Sequence, residues 1–181
     1  MDKFYLIIGE SGSGKTTFAR HLHRLFGLTQ IQSFTTRPPR YPGEYGHTFV
    51  DSMPDMNDDE YVVGYTEYNG YQYWATNKQV EENQIYVIDP DGVKFFRDHY
   101  RGGKTIITIY LYTSKITRFF RMLKRGDSII YAIQRIKYDA TKFKDAKNIS
   151  DIVINCEKSL DMCTREFVSK VYLAGKGGDA Y

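Results

Sequence analysis

The sequence predicts an α/β fold in which a core of parallel strands flanked by helices carries a β-rich insert and a helical lid. Three observations predict it. Apolar, β-like runs at residues 4–8, 85–88, 105–112 and 152–154 alternate with helix-like stretches, the rhythm of a covered parallel sheet. Between residues 33 and 83 the rhythm gives way to Gly, Pro, Tyr and polar residues with short β-prone pieces. Residues 118–147 then place Arg and Lys on a helical pattern broken at Gly126.

The first strand runs directly into GESGSGKTT, residues 9–17. Gly9 and Gly14 bracket four residues and are followed by Lys15 and Thr16, the G-x-x-x-x-G-K-[ST] spacing of a phosphate-binding P-loop. Glycines allow positive φ, so that backbone N–H groups curl around a polyphosphate while the next helix points its positive end at the same anion. Gly12, Gly14, Lys15, Thr16 and Thr17 are therefore the expected ATP-binding positions. Lys15 would reach the β and γ phosphates, Thr16 would ligate Mg²⁺, and Thr17 would support a phosphate oxygen. Phe18, Leu22, Leu25 and Phe26 follow at helical spacing, and Gly27 marks the stop.

The insert opens with SFTTRPPRYPGEYGHTFV, residues 33–50. Pro38 and Pro39 hold the backbone extended between Arg37 and Arg40, presenting two guanidinium forks at a set separation, which suits a phosphate. Ser33, Thr35 and Thr36 add hydroxyls nearby.

Composition bounds the rest. At 181 residues and a net charge of +3, with both signs interleaved, one domain is expected and no nucleic-acid stripe. Cys156 and Cys163 lack metal-ligand spacing and make no disulfide framework, which fits a reducing cytosol. No apolar run approaches membrane-spanning length and no leader pattern precedes the first strand, so a soluble cytoplasmic protein is expected, with neither membrane nor nucleic-acid partners.

Taken together, the motifs resemble guanylate kinase, in which a P-loop holds ATP and an S-x-x-T-R-x-x-R-x-G-E segment holds the phosphate of GMP. The resemblance continues in order through YNGYQYWAT (residues 68–76), VIDPDG (87–92), RFFRMLKRGD (118–127), QRI (134–136) and DIVIN (151–155), which covers most of the chain. It implies a P-loop kinase core at residues 1–32, 84–117 and 148–173, a nucleotide-binding insert at 33–83, a lid at 118–147 and a tail at 174–181. It also implies site residues. Ser33, Arg37, Arg40 and Tyr73 match the family's acceptor-phosphate positions, Glu44 belongs with them to the acceptor-nucleotide site, and Asp89 matches a carboxylate that organises the acceptor and the Mg²⁺ water shell. Arg121, Arg125 and Arg135 match the lid arginines that close over the transferring phosphoryl group, and Asn155 a position near the adenine.

The departures fall on base recognition. The family's guanine-binding glutamate falls on Gly64 and its base-reading hydroxyl on Ala75, with Thr76 one place on as a substitute. His47 stands for a tyrosine and Val87 for an aspartate. Glu67 could reach the base through a bulge, or Trp74 with tyrosines 65, 68, 71 and 73 could stack it. The implied activity is transfer of the γ-phosphate of Mg·ATP to a nucleoside monophosphate, GMP or dGMP first, with blunted base selectivity. The alternatives are a kinase of different base specificity and a non-catalytic interaction module of the same fold.

Overall fold

The computed structural model describes residues 2–39, 41–55, 60–68 and 70–172. Arg40 and the tail at 174–181 lie outside them, as does the side chain of Tyr68.

Strand β1 (Lys3–Ile8) lies between β6 (Ile85–Val87) and β7 (Thr105–Tyr112), with β8 (Ile152–Asn155) outside β7, all parallel in the order β6-β1-β7-β8. A strand covered on both faces reads as a continuous apolar run, which is why KFYLII does not alternate. Phe4, Leu6 and Ile8 pack on one side with Val93 and Phe96 of α3 (Pro90–His99). Tyr5 and Ile7 pack on the other with Phe18 and Leu22 of α1 (Lys15–Phe26) and Phe167 of α6 (Leu160–Phe167). Each such side chain contributes about 1.5–3 kcal/mol when fully buried.

A second sheet, in the order β3-β2-β5-β4, is built from β2 (Ser33–Thr35), β3 (His47–Phe49), β4 (Val62–Tyr68) and β5 (Tyr71–Thr76). The β4–β5 hairpin turns at Gly70, whose φ of +75° glycine adopts without strain. Its register pairs Gly64 with Ala75 and Thr66 with Tyr73, after a shift between Val62 and Gly64. The short α2 (Asn77–Glu82) returns the chain to the first sheet. Helices α4 (Lys115–Lys124) and α5 (Ile129–Lys142) meet at a turn where Gly126 has φ +99°. Among the described residues no helix is long and apolar enough to cross a membrane.

Two sequence expectations change here. Trp74 belongs to the core: it is fully buried and stacks on Phe34 at 5.6 Å, while Tyr65 packs against Phe95. An aromatic wall for a base is not assembled from these residues, because strand alternation turns them away from Tyr73. Cys156 and Cys163 form a disulfide, with Cα atoms 5.0 Å apart. The chain leaves β8 and folds back as α6, a juxtaposition that spacing in the sequence does not show. The cysteines therefore lend no support to a reducing compartment.

Candidate functional site

The carboxyl ends of the parallel strands converge on one edge of the core, where ligands of open α/β sheets bind. There β1 delivers the P-loop, β6 delivers Asp89 and β8 delivers Cys156. Gly12 and Gly14 take φ of +78° and +100°. Gly12 is doubly constrained, since a Cβ there would stand 2.7 Å from the carbonyl oxygen of Arg118. Lys15 folds back on its own loop and donates from Nζ to the carbonyls of Gly9 (2.5 Å) and Glu10 (3.2 Å).

Burial lowers the Lys15 pKa to about 8, an effect that nearby Asp139 and Glu10 oppose. Phosphate binding needs the ammonium form. ADP affinity is therefore expected to fall as the pH rises through 8, by up to about tenfold per pH unit until the bound-state pKa is reached. Equilibrium binding between pH 6.5 and 9.5 checks this; a flat profile would detach Lys15 from the phosphates.

A cavity of about 220 Å³ opens beside Lys15. It is lined both by Ser11 and Lys15 of the P-loop and by Ser33, His47, Thr66 and Tyr73 of the insert. Ser33 Oγ shares a 3.0 Å hydrogen bond with His47 Nδ1, and the His47 and Tyr73 rings meet edge-on at 5.5 Å. Helix α5 closes the top with Arg135, Tyr138, Asp139 and Lys142, which recur at i, i+3, i+4 and i+7 and so share one face. Arg135 donates to Ser11 Oγ from Nε (3.0 Å) and Nη2 (2.7 Å), and Asp139 Oδ2 accepts from Ser11 N at 2.7 Å. At the other end of that face, Lys142 Nζ is 2.7 Å from Asp89 Oδ2.

Beneath α5 lies a buried ion network. Arg118, 1% exposed, reaches Asp139 Oδ2 at 3.3 Å and Glu10 Oε1 at 3.9 Å, and Glu10 Oε2 also accepts from the Tyr110 hydroxyl at 2.9 Å. It ties α4, α5 and β7 to the P-loop. Glu10, Tyr86, Arg118, Tyr138, Asp139 and Lys142 were not singled out from the sequence. The helical spacing of Arg135, Tyr138, Asp139 and Lys142 is the signal that could have found the last three.

A second recess of about 230 Å³ lies across Gly14, lined by Ser13, Thr17, Arg121 and Cys156. Arg121 is fixed there, donating to the carbonyls of Ser13 (3.2 Å) and Cys156 (2.9 Å). Thr16 and Thr17 are exposed at the start of α1.

The cavity thus brings together Lys15, Ser33, Tyr73, Asp89 and Arg135. Arg37 stands behind Tyr73, hydrogen-bonding it and giving both Nη atoms to Glu44 at 3.2 and 2.8 Å. Other expected site residues lie elsewhere: Arg125 pairs with Asp127 on the turn after α4. Thr76 is fully buried and caps α2 by accepting from Gln79 N. Asn155 is exposed, and its side-chain oxygen accepts from Glu157 N at 3.0 Å. Glu67 lies on the other face of β4 from Thr66 and accepts from the Tyr65 hydroxyl at 2.6 Å, because the bulge precedes Gly64 and does not turn Glu67 inward.

The family model described as AAA domain matches residues 6–138. No curated protein sequence matches the chain. Among solved structures, a guanylate kinase from Anaplasma phagocytophilum is similar with a TM-score of 0.64 and 21% identity, over 99% of this chain and 89% of that one. An uncharacterized protein from Eubacterium ventriosum ATCC 27560 is similar with a TM-score of 0.51 and 12% identity, over 94% of this chain and 99% of that one. These are likenesses of fold, and the fold is the P-loop kinase arrangement expected from the sequence: a parallel sheet flanked by helices.

Proposed function

We propose a function for a chain that belongs to the AAA domain family: it transfers the γ-phosphoryl group of Mg·ATP to a nucleoside monophosphate, with GMP and dGMP as the first acceptors to test. One observation carries the reading. A single cavity is lined by the P-loop lysine, by the Ser33, His47 and Tyr73 cluster and by Arg135, so two anions can be held close together.

The acceptor's phosphate oxygen attacks the γ phosphorus while the bond to the ADP oxygen breaks. Little covalent chemistry is asked of the protein, which aligns two anions and offsets their repulsion. Lys15 and Arg135 supply positive charge between them. Ser33 and Tyr73 orient the acceptor phosphate, and the recess across Gly14 takes the remainder of the donor. Arg37, paired with Glu44, holds Tyr73 by a side-chain hydrogen bond and so backs the acceptor-phosphate cluster.

The residues present fit Mg²⁺. Thr16 offers an exposed hydroxyl beside Lys15, a hard oxygen ligand, and Mg²⁺ in such sites takes its other ligands from phosphates and water and not from a protein cage. Bound there, it would neutralise charge on the β and γ phosphates. Among the described residues no cluster of three or more His, Cys, Asp or Glu forms a cage.

ADP release from Mg·ATP, measured against each ribo- and deoxyribonucleoside monophosphate, tests the reading. Acceptor-dependent release with at least one purine monophosphate is expected. A panel with no acceptor-dependent release would favour a non-catalytic interaction module.

A further inference from the structure

We propose that the Cys156–Cys163 disulfide is a redox-modification site coupled to the recess across Gly14: a nucleotide seated there shields the pair from dithiol reductants, and reduction of the pair loosens the nucleotide. The proposal rests on reading that recess as the place of the donor nucleotide.

The two cysteines, seven residues apart, close a short ring that carries the chain from the end of β8 into α6. That ring is a wall of the recess. Cys156, Ser159, Leu160 and Cys163 all line it, together with Gly14 and Thr17 where the P-loop enters α1. The ring also holds neighbours in place. The Cys156 carbonyl accepts from Arg121 Nη2 at 2.9 Å, and the Glu157 carboxylate accepts from Ser114 N and Ser114 Oγ, each at 2.7 Å, which ties the start of α4 to the same segment.

A cross-link acts largely by removing conformations that the open chain could adopt. With the bond in place, the wall and Arg121 are ordered before the nucleotide arrives, whereas after reduction that ordering becomes a cost of binding. Oxidised protein therefore binds the nucleotide more tightly. Coupling between two sites is reciprocal, so the nucleotide must favour the disulfide over the dithiol by the same factor.

Access adds a kinetic effect. Cys163 is 1% exposed and Cys156 7%, and both line the recess, so a reductant enters there and meets Cys156 first. A thiolate of the dithiol attacks Cys156 Sγ, the S–S bond breaks, and Cys163 leaves as a thiolate that takes up a proton. The reductant's second thiolate then attacks its own first sulfur in the mixed disulfide, and Cys156 leaves and is protonated in turn. The protein pair gains two electrons and two protons; the dithiol loses both and closes its own disulfide. A nucleotide in the recess obstructs the first attack.

The test measures equilibrium binding of Mg·ADP to the oxidised protein and to protein reduced with dithiothreitol, thiol titration confirming each state. Reduction is expected to weaken ADP binding by at least about fivefold, the lower end of ordinary site-to-site coupling. ADP at a concentration saturating both forms should raise the ratio of reduced to oxidised dithiothreitol needed for half-reduction by that same factor, and should slow the reduction. Cys163→Ser should bind ADP as the reduced protein does and ignore the reductant. If that variant fails to fold, the unmodified protein still decides. Equal ADP affinity in the two states overturns the proposal alone, as does a midpoint that ADP leaves unmoved or a pair that stays as free thiols in excess oxidised dithiothreitol. ADP binding in neither state overturns the kinase reading on which the proposal rests.

Discussion

Lys15→Ala is expected to lower acceptor-dependent ADP release by about two to three orders of magnitude, the loss typical of removing one preorganised charge-stabilising group. The effect belongs to chemistry and not to folding. Lys15 Nζ hydrogen-bonds the loop carbonyls of Gly9 and Glu10, and the apolar clusters on both faces of the sheet do not include it. Burial already disfavours its charged form, so truncation removes a group that the folded state holds at a cost. The melting temperature of the variant should therefore equal or exceed that of the unmodified protein. Steady-state kinetics with the best acceptor and a thermal melt check both parts. Turnover within a few-fold of the unmodified protein would remove the kinase reading, because the other cations beside the loop, Arg121 and Arg135, are already engaged with Ser13, Cys156 and Ser11.

That P-loop was legible in the sequence because local rules govern it. Positive φ at Gly12 and Gly14 and an apolar strand leading into a helix are properties of adjacent residues, and the four core strands were legible for the same reason. The disulfide, the packing of Trp74 and the capping role of Thr76 were not, because each depends on which elements meet. Thr76 could be counted along a motif to a base-reading position, but it is spent on the N-terminus of α2. The same limit governs Gly64. Its missing carboxylate is visible in the sequence, whereas the compensating Tyr86, two strands away, is visible only in space. A glutamate restored at Gly64 alone would collide with that ring, so it is no clean test of base choice.

The lid shows the limit in its energetics. Read as a solvated, mobile arginine-rich segment, residues 118–147 gave no reason to place a charge in the core, yet Arg118 is among the most deeply buried side chains in the protein. Arg118→Leu is expected to destabilise the fold by about 3–5 kcal/mol, the range for removing one partner of a buried ion network. The cost arises from what is left behind. Asp139 is 1% exposed and Glu10 is mostly covered, so both carboxylates would lose Arg118 without gaining water and keep only the more distant Lys15 as counter-charge. Asp139 would keep the Ser11 amide and Glu10 the Tyr110 hydroxyl, which is too little for two desolvated anions. Denaturant unfolding of Arg118→Leu, Asp139→Asn and the double variant measures the coupling. Adding Asp139→Asn to Arg118→Leu should recover part of the loss, since it removes one orphaned charge while keeping a side chain of the same shape. A loss below about 1 kcal/mol for Arg118→Leu, or strict additivity in the double variant, would mean that the network does not hold α4 and α5 to the P-loop, and the ceiling of the cavity would need another anchor.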